Sequence, residues 1–432
     1  MVELKECWLV DYARTAFSRS RPKQPDRDVF GELRGDEILA ELLIKFFNEK
    51  LADKGIQKSD MEEVTIGVAT GVHENFTLGG KVATFLAGFP VEVPSFQIDR
   101  QCGSAGSGMH VGVMAIQTGN AKCVLSTGFE HMTRVRGMGH TSPNLKVAQK
   151  GSKYFRPDID LMTSFSMLQT AQKLYEEEVP TFTKEDLDRF GVRSHNLTVK
   201  NQEEGWFTGG VNGGEIIPIE GHAEGDIENK MMIDRDMNAR KSTLEKVSQL
   251  PRLSKPFYLK KNGGRKGYIE REGTKEGVIT VGSSSPLNAG ATAAVLMEAE
   301  EAKKRGIEPL ARIVSIGWAG VDPSVMGRGP VPATKRALAY AGLKADDIDY
   351  WEINEAFCIV ALNCMDKFDL PWEKVNIMGG STAIGHPLGS TMIRLPGTLA
   401  RILKDKKAKY GLANACCGGG QGVATIIENI DA

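Results

Sequence analysis

The chain has 432 residues, with 54 Lys and Arg against 55 Asp and Glu, and 41% of its residues are hydrophobic. That length suits two or three domains, and the near-neutral balance excludes a disordered tail protein and argues against a strongly basic nucleic-acid binder. Glycine is in excess, at 48 residues, and without a Gly-X-Y period the excess points to tight turns and close backbone approaches.

Taken in chain order, MVELKECWLVDYARTAF lacks the charged start and apolar core of a secretory leader. No apolar run reaches the ~18 residues of a membrane span, and the final NIDA is not a peroxisomal address. The seven cysteines are odd in number and form no C-x-x-C pair, so neither a disulfide framework nor a zinc ribbon is expected. The expectation is a cytoplasmic chain with reduced thiols, no metal, and no membrane or nucleic-acid partner.

CWLVDYARTAF and AKCVLSTG read as strands, with PSFQID a short strand between them. MHVGVMAIQTG reads as a helix that is apolar on nearly every side, as expected for one buried between layers. About 150 residues then separate FEHMTRV from GVITVGS. They carry amphipathic stretches (TAQKLYEEEV, KEDLDRFGVRSHNLTVKNQEEGWF) and basic, turn-rich ones (RDMNARKSTLEKVSQLPRLSK, KKNGGRKG), and read as a largely helical lobe over the core. Lobes inserted at strand ends are where ligands usually bind. Further on, EKVNIM reads as a short strand and STMIRLPGTLARIL as a helix that Pro396 should kink or split.

Much of this is written twice. An offset of 287 residues relates Gly55 to Gly342, Asp60 to Asp347, and Ala121–Lys122 to Ala408–Lys409. CWLVDYARTAF parallels ARIVSIGWAGVD, and GATAAVLMEAE parallels GVATIIEN. Strands alternating with helices in each copy predict a duplicated α/β domain with parallel, helix-covered sheets.

Four turns carry polar groups suited to chemistry. In DRQCGSAGSG, Cys102 ends a strand and opens a helix, whose N-terminal partial charge favours thiolate; the alternative is an inert buried thiol. In MGGSTAIGHPLG, His386 lies three residues from Gly389, the repeat counterpart of Cys102. Two such domains packed about a pseudo-twofold axis would bring thiol and imidazole together, and His is the natural base at neutral pH. In ANACCGGGQG, Cys416 ends a strand, its neighbour Cys417 points to the opposite face, and Gly418–Gly420 free the backbone for close approach. In EINEAFC, Asn354 is placed to hold a water or donate to an oxyanion, beside Glu355, whose ordinary fate is solvation.

These turns, in this order, resemble the thiolase family: QCGS at Cys102, NEAF at Asn354–Phe357, GHPLG at His386, and C-x-GGG at Cys416. The resemblance covers nearly the whole chain. It implies an α/β fold of two βαβαβαββ halves in a layered α-β-α-β-α arrangement with an inserted loop domain. The expected divisions are 1–130 with 275–305 for the first half, 131–274 for the loop domain, and 306–432 for the second half. It implies an acyltransferase in which Cys102 attacks an acyl thioester of coenzyme A, His386 takes its proton, and Cys416 moves a proton at the α-carbon of a second acetyl-CoA. Asn354, through a water, and His386 would hold one thioester oxygen; the amides of Cys102 and Gly418 would hold the other. Arg240 matches a position facing the phosphate-rich end of coenzyme A, Ser285 one touching the pantetheine arm, and Met167 and Phe357 would line the acyl pocket. Partners would be acyl-CoA, acetyl-CoA and CoA, with no separate cofactor, in a homodimer or homotetramer.

The chain departs from the family pattern at Ala105 and Gly106 after the nucleophile, at Ala289 after Asn288, and at Ser166, where acetoacetyl-CoA thiolases carry His. The competing expectations are a non-catalytic or complex-dependent acyl-CoA-binding homologue and another CoA-dependent condensing enzyme.

Overall fold

A computed structural model describes residues 4–135, 146, 149–178, 182–209, 213–255 and 276–432; the KKNGGRKG segment lies outside them. The first half contributes β1 (Cys7–Arg14), β2 (Ser18–Arg19), α1 (Gly35–Lys45), β3 (Glu63–Gly67), α2 (Lys81–Leu86), β4 (Ser95–Ile98), α3 (Ser104–Gln117) and β5 (Cys123–His131). The lobe follows with α4 (Met167–Glu177), α5 (Lys184–Glu203), α6 (Trp206–Gly209), β6 (Ile219–Ala223), β7 (Asp226–Ile233) and α7 (Leu244–Ser248). Then come β8 (Asn288–Glu298), α8 (Ala299–Lys304), β9 (Ala311–Gly320), α9 (Pro330–Ala341), β10 (Tyr350–Ile353), α10 (Cys358–Phe368), α11 (Thr391–Lys406), β11 (Tyr410–Cys417) and β12 (Gln421–Glu428).

Strands run β4-β3-β5-β8-β1 in the first half and β9-β12-β11-β10 in the second. The halves meet where β1 pairs antiparallel with β9 through Trp8–Arg312 and Leu9–Ala311. The duplication is visible in the element starts. Shifting β3, α3 and β5 by the repeat offset lands on the first residues of β10, α11 and β11. Gly55 and Gly342 both adopt left-handed backbone, at φ 65° and 67°, the conformation that ends a helix without a Cβ penalty.

The side chains sort into layers by strand alternation. Along β8, Ala291, Ala293, Val295 and Met297 face an outer apolar cluster with α1 and α2. Ala294 and Leu296 face an inner cluster that holds α3 and α11. A third cluster packs α4, α5, α9 and α10 on the other outer face, against β10–β12. The resulting order is α-β-α-β-α, with α3 and α11 buried at the centre. Backbones touch there: a Cβ on Gly128 would lie 2.1 Å from the carbonyl oxygen of Gly389, so any side chain would force the halves apart.

Four sequence expectations need correction. The sheet is mixed rather than parallel: β3 pairs parallel with β4 and β5, and β10 with β11, while β1–β8, β5–β8, β11–β12 and β12–β9 are antiparallel. EKVNIM forms no strand; only a single bridge joins Val375 to Trp351. Asn376 is left-handed, at φ 46°, and its amide takes both the N–H and the C=O of Ile353, at 2.8 and 2.9 Å. One side chain thus replaces the ladder a strand would have made. Helix α11 is not split: it runs through Pro396 without interruption. Burial of Thr391–Leu403 on all sides holds it against the lost Pro396 hydrogen bond. The lobe is less helical than expected, since β6 and β7 form an antiparallel hairpin. Its two amphipathic stretches are helical, as α4 and α5, the latter opened by a Thr183–Asp186 capping box.

Candidate active site

The turn before α3 is a strained, locked elbow. Gln101 is left-handed, at φ 50°, which costs a non-glycine residue on the order of 1 kcal/mol. The Asp99 carboxylate accepts the Gln101 N–H at 2.6 Å, and Ser104 Oγ donates to the Gln101 carbonyl at 2.6 Å while accepting the Arg100 N–H at 2.9 Å. The elbow throws Cys102 toward the second half. Gly103 has no room for a side chain, since a Cβ there would lie 2.6 Å from Cys417 Sγ.

The expectation that the helix start would favour the Cys102 thiolate is not met. Burial dominates and pushes its pKa up to about 12, while the amides of Gly418 and of Cys102 itself pull it down only in part. The thiol therefore rests protonated and must lose its proton as it reacts. Cys416 is also fully buried, its pKa raised first by burial and then by Cys102 beside it. Strand alternation separates the vicinal pair: Cys416 joins the cluster containing Phe357, and Cys417 turns inward toward α3.

His386 is held from three sides. Its N–H donates to Asn288 Oδ1 at 2.7 Å, Nδ1 lies 2.6 Å from Thr391 Oγ1, and Nε2 lies 3.3 Å from Asn354 Nδ2. Thr391 Oγ1 spends its own proton on the Pro387 carbonyl at 2.9 Å. This assigns the ring proton to Nδ1 and leaves Nε2 as the basic nitrogen, its lone pair accepting only the long contact from the Asn354 amide. Burial, with Arg394 adding to it, lowers the His386 pKa to about 3, so the imidazole is neutral at physiological pH.

Behind the ring runs a polar chain that sequence reasoning did not anticipate. Asn354 Oδ1 accepts from Ser381 Oγ at 2.7 Å, Ser381 Oγ accepts from Arg394 at 3.1 Å, and Arg394 pairs with buried Glu352 at 2.6 Å. Glu355 is buried rather than solvated. It takes Ser194 Oγ of α5 at 2.7 Å, the Thr382 N–H at 3.0 Å and the Asn376 amide at 2.7 Å, tying the lobe to the turn before His386.

Glu130, at the end of β5, was also missed. One of its oxygens accepts the N–H groups of Ala69, at 2.9 Å, and Gly389, at 3.0 Å, and the other accepts Asn75 Nδ2 at 3.1 Å. It thereby stitches the His386 turn of the second half to the first half. The only sequence signal was an acid inside an otherwise apolar strand.

A cavity of about 520 Å³ opens on this cluster, lined by Cys102, His386, Met167, Phe357, Ser285 and Arg240 among others. Asn354, Cys416 and Gly418 stand behind that lining as buried groups. Ser285 is held by donation to the Ala356 carbonyl at 3.1 Å, and Met167 opens α4 directly after Ser166. A protonated thiol, a neutral imidazole and backbone amides aimed at the sulfur can form and break a covalent thioester.

Two family models match the chain: "Thiolase, N-terminal domain" over residues 11–264 and "Thiolase, C-terminal domain" over residues 307–429. The sequence is 36% identical over 431 residues to a 3-ketoacyl-CoA thiolase of Marinobacter nauticus, covering 98% of both chains. It is 34% identical to one of Vibrio vulnificus, covering 98% of this chain and 100% of that one. Among solved structures, human mitochondrial 3-ketoacyl-CoA thiolase superposes with a TM-score of 0.78 at 27% identity, covering 99% and 100%. Bacillus anthracis acetyl-CoA acetyltransferase does so with a TM-score of 0.77 at 28% identity, covering 99% of each.

Proposed function

The chain belongs to the thiolase family and is an acyltransferase, and on that premise we propose that it interconverts 3-ketoacyl-CoA and CoA with acyl-CoA and acetyl-CoA through an acyl-Cys102 intermediate. In thiolysis, Cys102 Sγ attacks the 3-keto carbon as its proton passes to His386 Nε2. The C2–C3 bond breaks and Cys416 protonates the departing acetyl-CoA carbanion; the CoA thiol then gives up its proton, which restores Cys416, and its sulfur takes the acyl group from Cys102, which leaves with the proton held by His386. The Cys102 and Gly418 amides stabilise the oxyanion on the carbon under attack; Asn354, through a water, and His386 stabilise the enolate oxygen. The observation that carries this reading is the meeting of Cys102 and His386 on one cavity wall, from symmetry-related turns, with Cys416 beside the thiol.

Met167 and Phe357 line the acyl side, and Ser285 and Arg240 the carrier side. The reaction draws on CoA thioesters alone, with no separate cofactor. Seven free, buried cysteines suit a reducing cytoplasm, and among the described residues no helix is long and apolar enough to cross a membrane. The physiological setting is fatty-acid metabolism.

The functional unit is a homo-oligomer. β4 is the outer strand of its sheet half, and near it Phe76, Leu78, Phe85 and Val91 are 61–81% exposed. An apolar surface beside an open strand edge is built for pairing. Light scattering at micromolar concentration is expected to give at least twice the chain mass; a monomeric mass would overturn the assignment.

The central test is thiolysis of 3-ketoacyl-CoA substrates of increasing chain length with free CoA. Turnover with a definite chain-length optimum is expected, and absence of turnover at every length would sink the proposal.

A further inference from the structure

Proton transfer from Cys102 to His386 joins side chains carried by different halves of the chain, so their spacing depends on what spans the seam. Much of that seam is backbone against backbone. A Cβ on Gly67 would lie 2.6 Å from the Gly389 carbonyl oxygen, and one on Gly389 would lie 2.2 Å from the Phe129 carbonyl oxygen. Contacts of this kind stop the halves from closing further but do not fix their angle or keep them from sliding; directional hydrogen bonds do.

Glu130 supplies such bonds. One of its carboxylate oxygens accepts both the Gly389 N–H, at 3.0 Å, and the Ala69 N–H, at 2.9 Å. The same Ala69 peptide accepts Gln101 Nε2 on its carbonyl at 3.2 Å, and Gln101 is the left-handed residue directly before Cys102. One oxygen and one peptide therefore connect the base turn to the nucleophile elbow. The Gln101 side chain also packs on Gly418, where a Cβ would lie 3.2 Å from Gln101 Cγ. The bridge thus reaches three of the four turns that build the site.

A plain structural tie would not need this group. Glu130 is 1% exposed, and among the described residues its donors are uncharged: the two seam amides, Asn75 Nδ2 at 3.1 Å and the Thr70 amide. A buried carboxylate held without a cation is costly, and burial pushes its pKa up to about 7. Its charge also works against the nucleophile, since it raises the Cys102 pKa. What suits a glutamate to this place is an oxygen with lone pairs for two converging N–H groups, carried at the length of its side chain.

We propose that Glu130 is a positioning residue for the acylation step: through the shared oxygen it sets the alignment of Cys102 Sγ with His386 Nε2, and it does so by reach rather than by charge. The proposal rests on the acyl-transfer reading above.

Two substitutions separate reach from charge. Glu130→Asp keeps the charge and withdraws the acceptor by one methylene. Glu130→Gln keeps an oxygen at full length for Ala69 and Gly389, and its amide nitrogen can donate to Asn75 Oδ1, which has no hydrogen-bond partner among the described residues. At pH 8, where Glu130 is largely ionised, Glu130→Asp is expected to slow single-turnover acetylation of Cys102 by acetyl-CoA about 100-fold, the scale of an ångström-sized misplacement. Its calorimetric Kd for free CoA should stay within about twofold of wild type. Glu130→Gln is expected to remain within about fivefold of wild type in both measurements. Acetylation of Glu130→Asp at wild-type speed, or of Glu130→Gln slowed as much as Glu130→Asp, would overturn the proposal. So would parallel losses of acetylation and CoA binding, the sign of a residue that only props up the fold. Alkylation of Cys102 by iodoacetamide, followed by peptide mass spectrometry, reads the same alignment without a thioester. Glu130→Asp is expected to slow it and Glu130→Gln to leave it near wild type, whereas a loosened fold would expose the thiol and speed it. This alkylation pattern in a protein whose wild type is never acetylated would leave the positioning role standing and remove the acyl-transfer reading instead.

Discussion

Replacing Cys102 with alanine is expected to lower thiolysis by about 10⁴-fold or more, the scale on which removal of a covalent nucleophile acts. Burial pushes the thiol pKa up to about 12, so at pH 7 it rests almost wholly protonated. Its reactivity therefore depends on proton transfer to His386 Nε2 as the carbon–sulfur bond forms. Intact-protein mass spectrometry after mixing with acetyl-CoA should show one added acetyl group on the wild type and none on Cys102→Ala. A variant retaining more than about a hundredth of wild-type turnover would show that the acyl group travels by another route.

Cys416→Ala should separate the two halves of the chemistry. Transfer of an acetyl group from acetyl-CoA to Cys102 moves its proton through His386 and does not require Cys416. Making or quenching a carbanion at the α-carbon does. The variant is expected to acquire the acetyl mass on Cys102 while thiolysis falls about 10³-fold, within the usual range for a lost general acid or base. Exchange of the acetyl-CoA methyl protons with deuterated solvent, followed by NMR, should disappear with it. Loss of acetylation and thiolysis in parallel would mean that Cys416 only props up the pocket.

The meeting of Cys102 and His386 at one cavity was legible in the sequence because both sit on repeated elements. Cys102 and His386 fall on turns that the repeat offset pairs, and β3, α3 and β5 reappear at that offset as β10, α11 and β11. What was not legible depends on single side chains acting across long sequence distances. Nothing in EKVNIM announces that the Asn376 amide will occupy the edge of β10. Nothing near Glu130 points to Gly389. The Cys102 ionisation was misjudged because the helix terminus is a local feature, whereas burial is set by the whole packed chain. Pro396 does not split α11 for the same reason, since packing on every side of the helix outweighs one missing hydrogen bond. The β6–β7 hairpin escaped notice because β7 is exposed over most of its length and so carries no apolar alternation to read.

The seam between the halves also bears on how such a chain can diversify. Gly389 is wedged against Gly67 and Gly128 with no space for a methyl group, and Glu130 fastens it from the side. Drift has no slack there, and a tolerated change to one turn would demand a matching change in the other copy. Met167 and Arg240, by contrast, reach the cavity from the lobe, Arg19 from the short strand β2 at its rim and Arg21 from the turn after it. The chain thus separates a fixed engine from replaceable fittings: its diet can be rewritten at the rim and in the lobe while the distance between sulfur and imidazole is inherited unchanged.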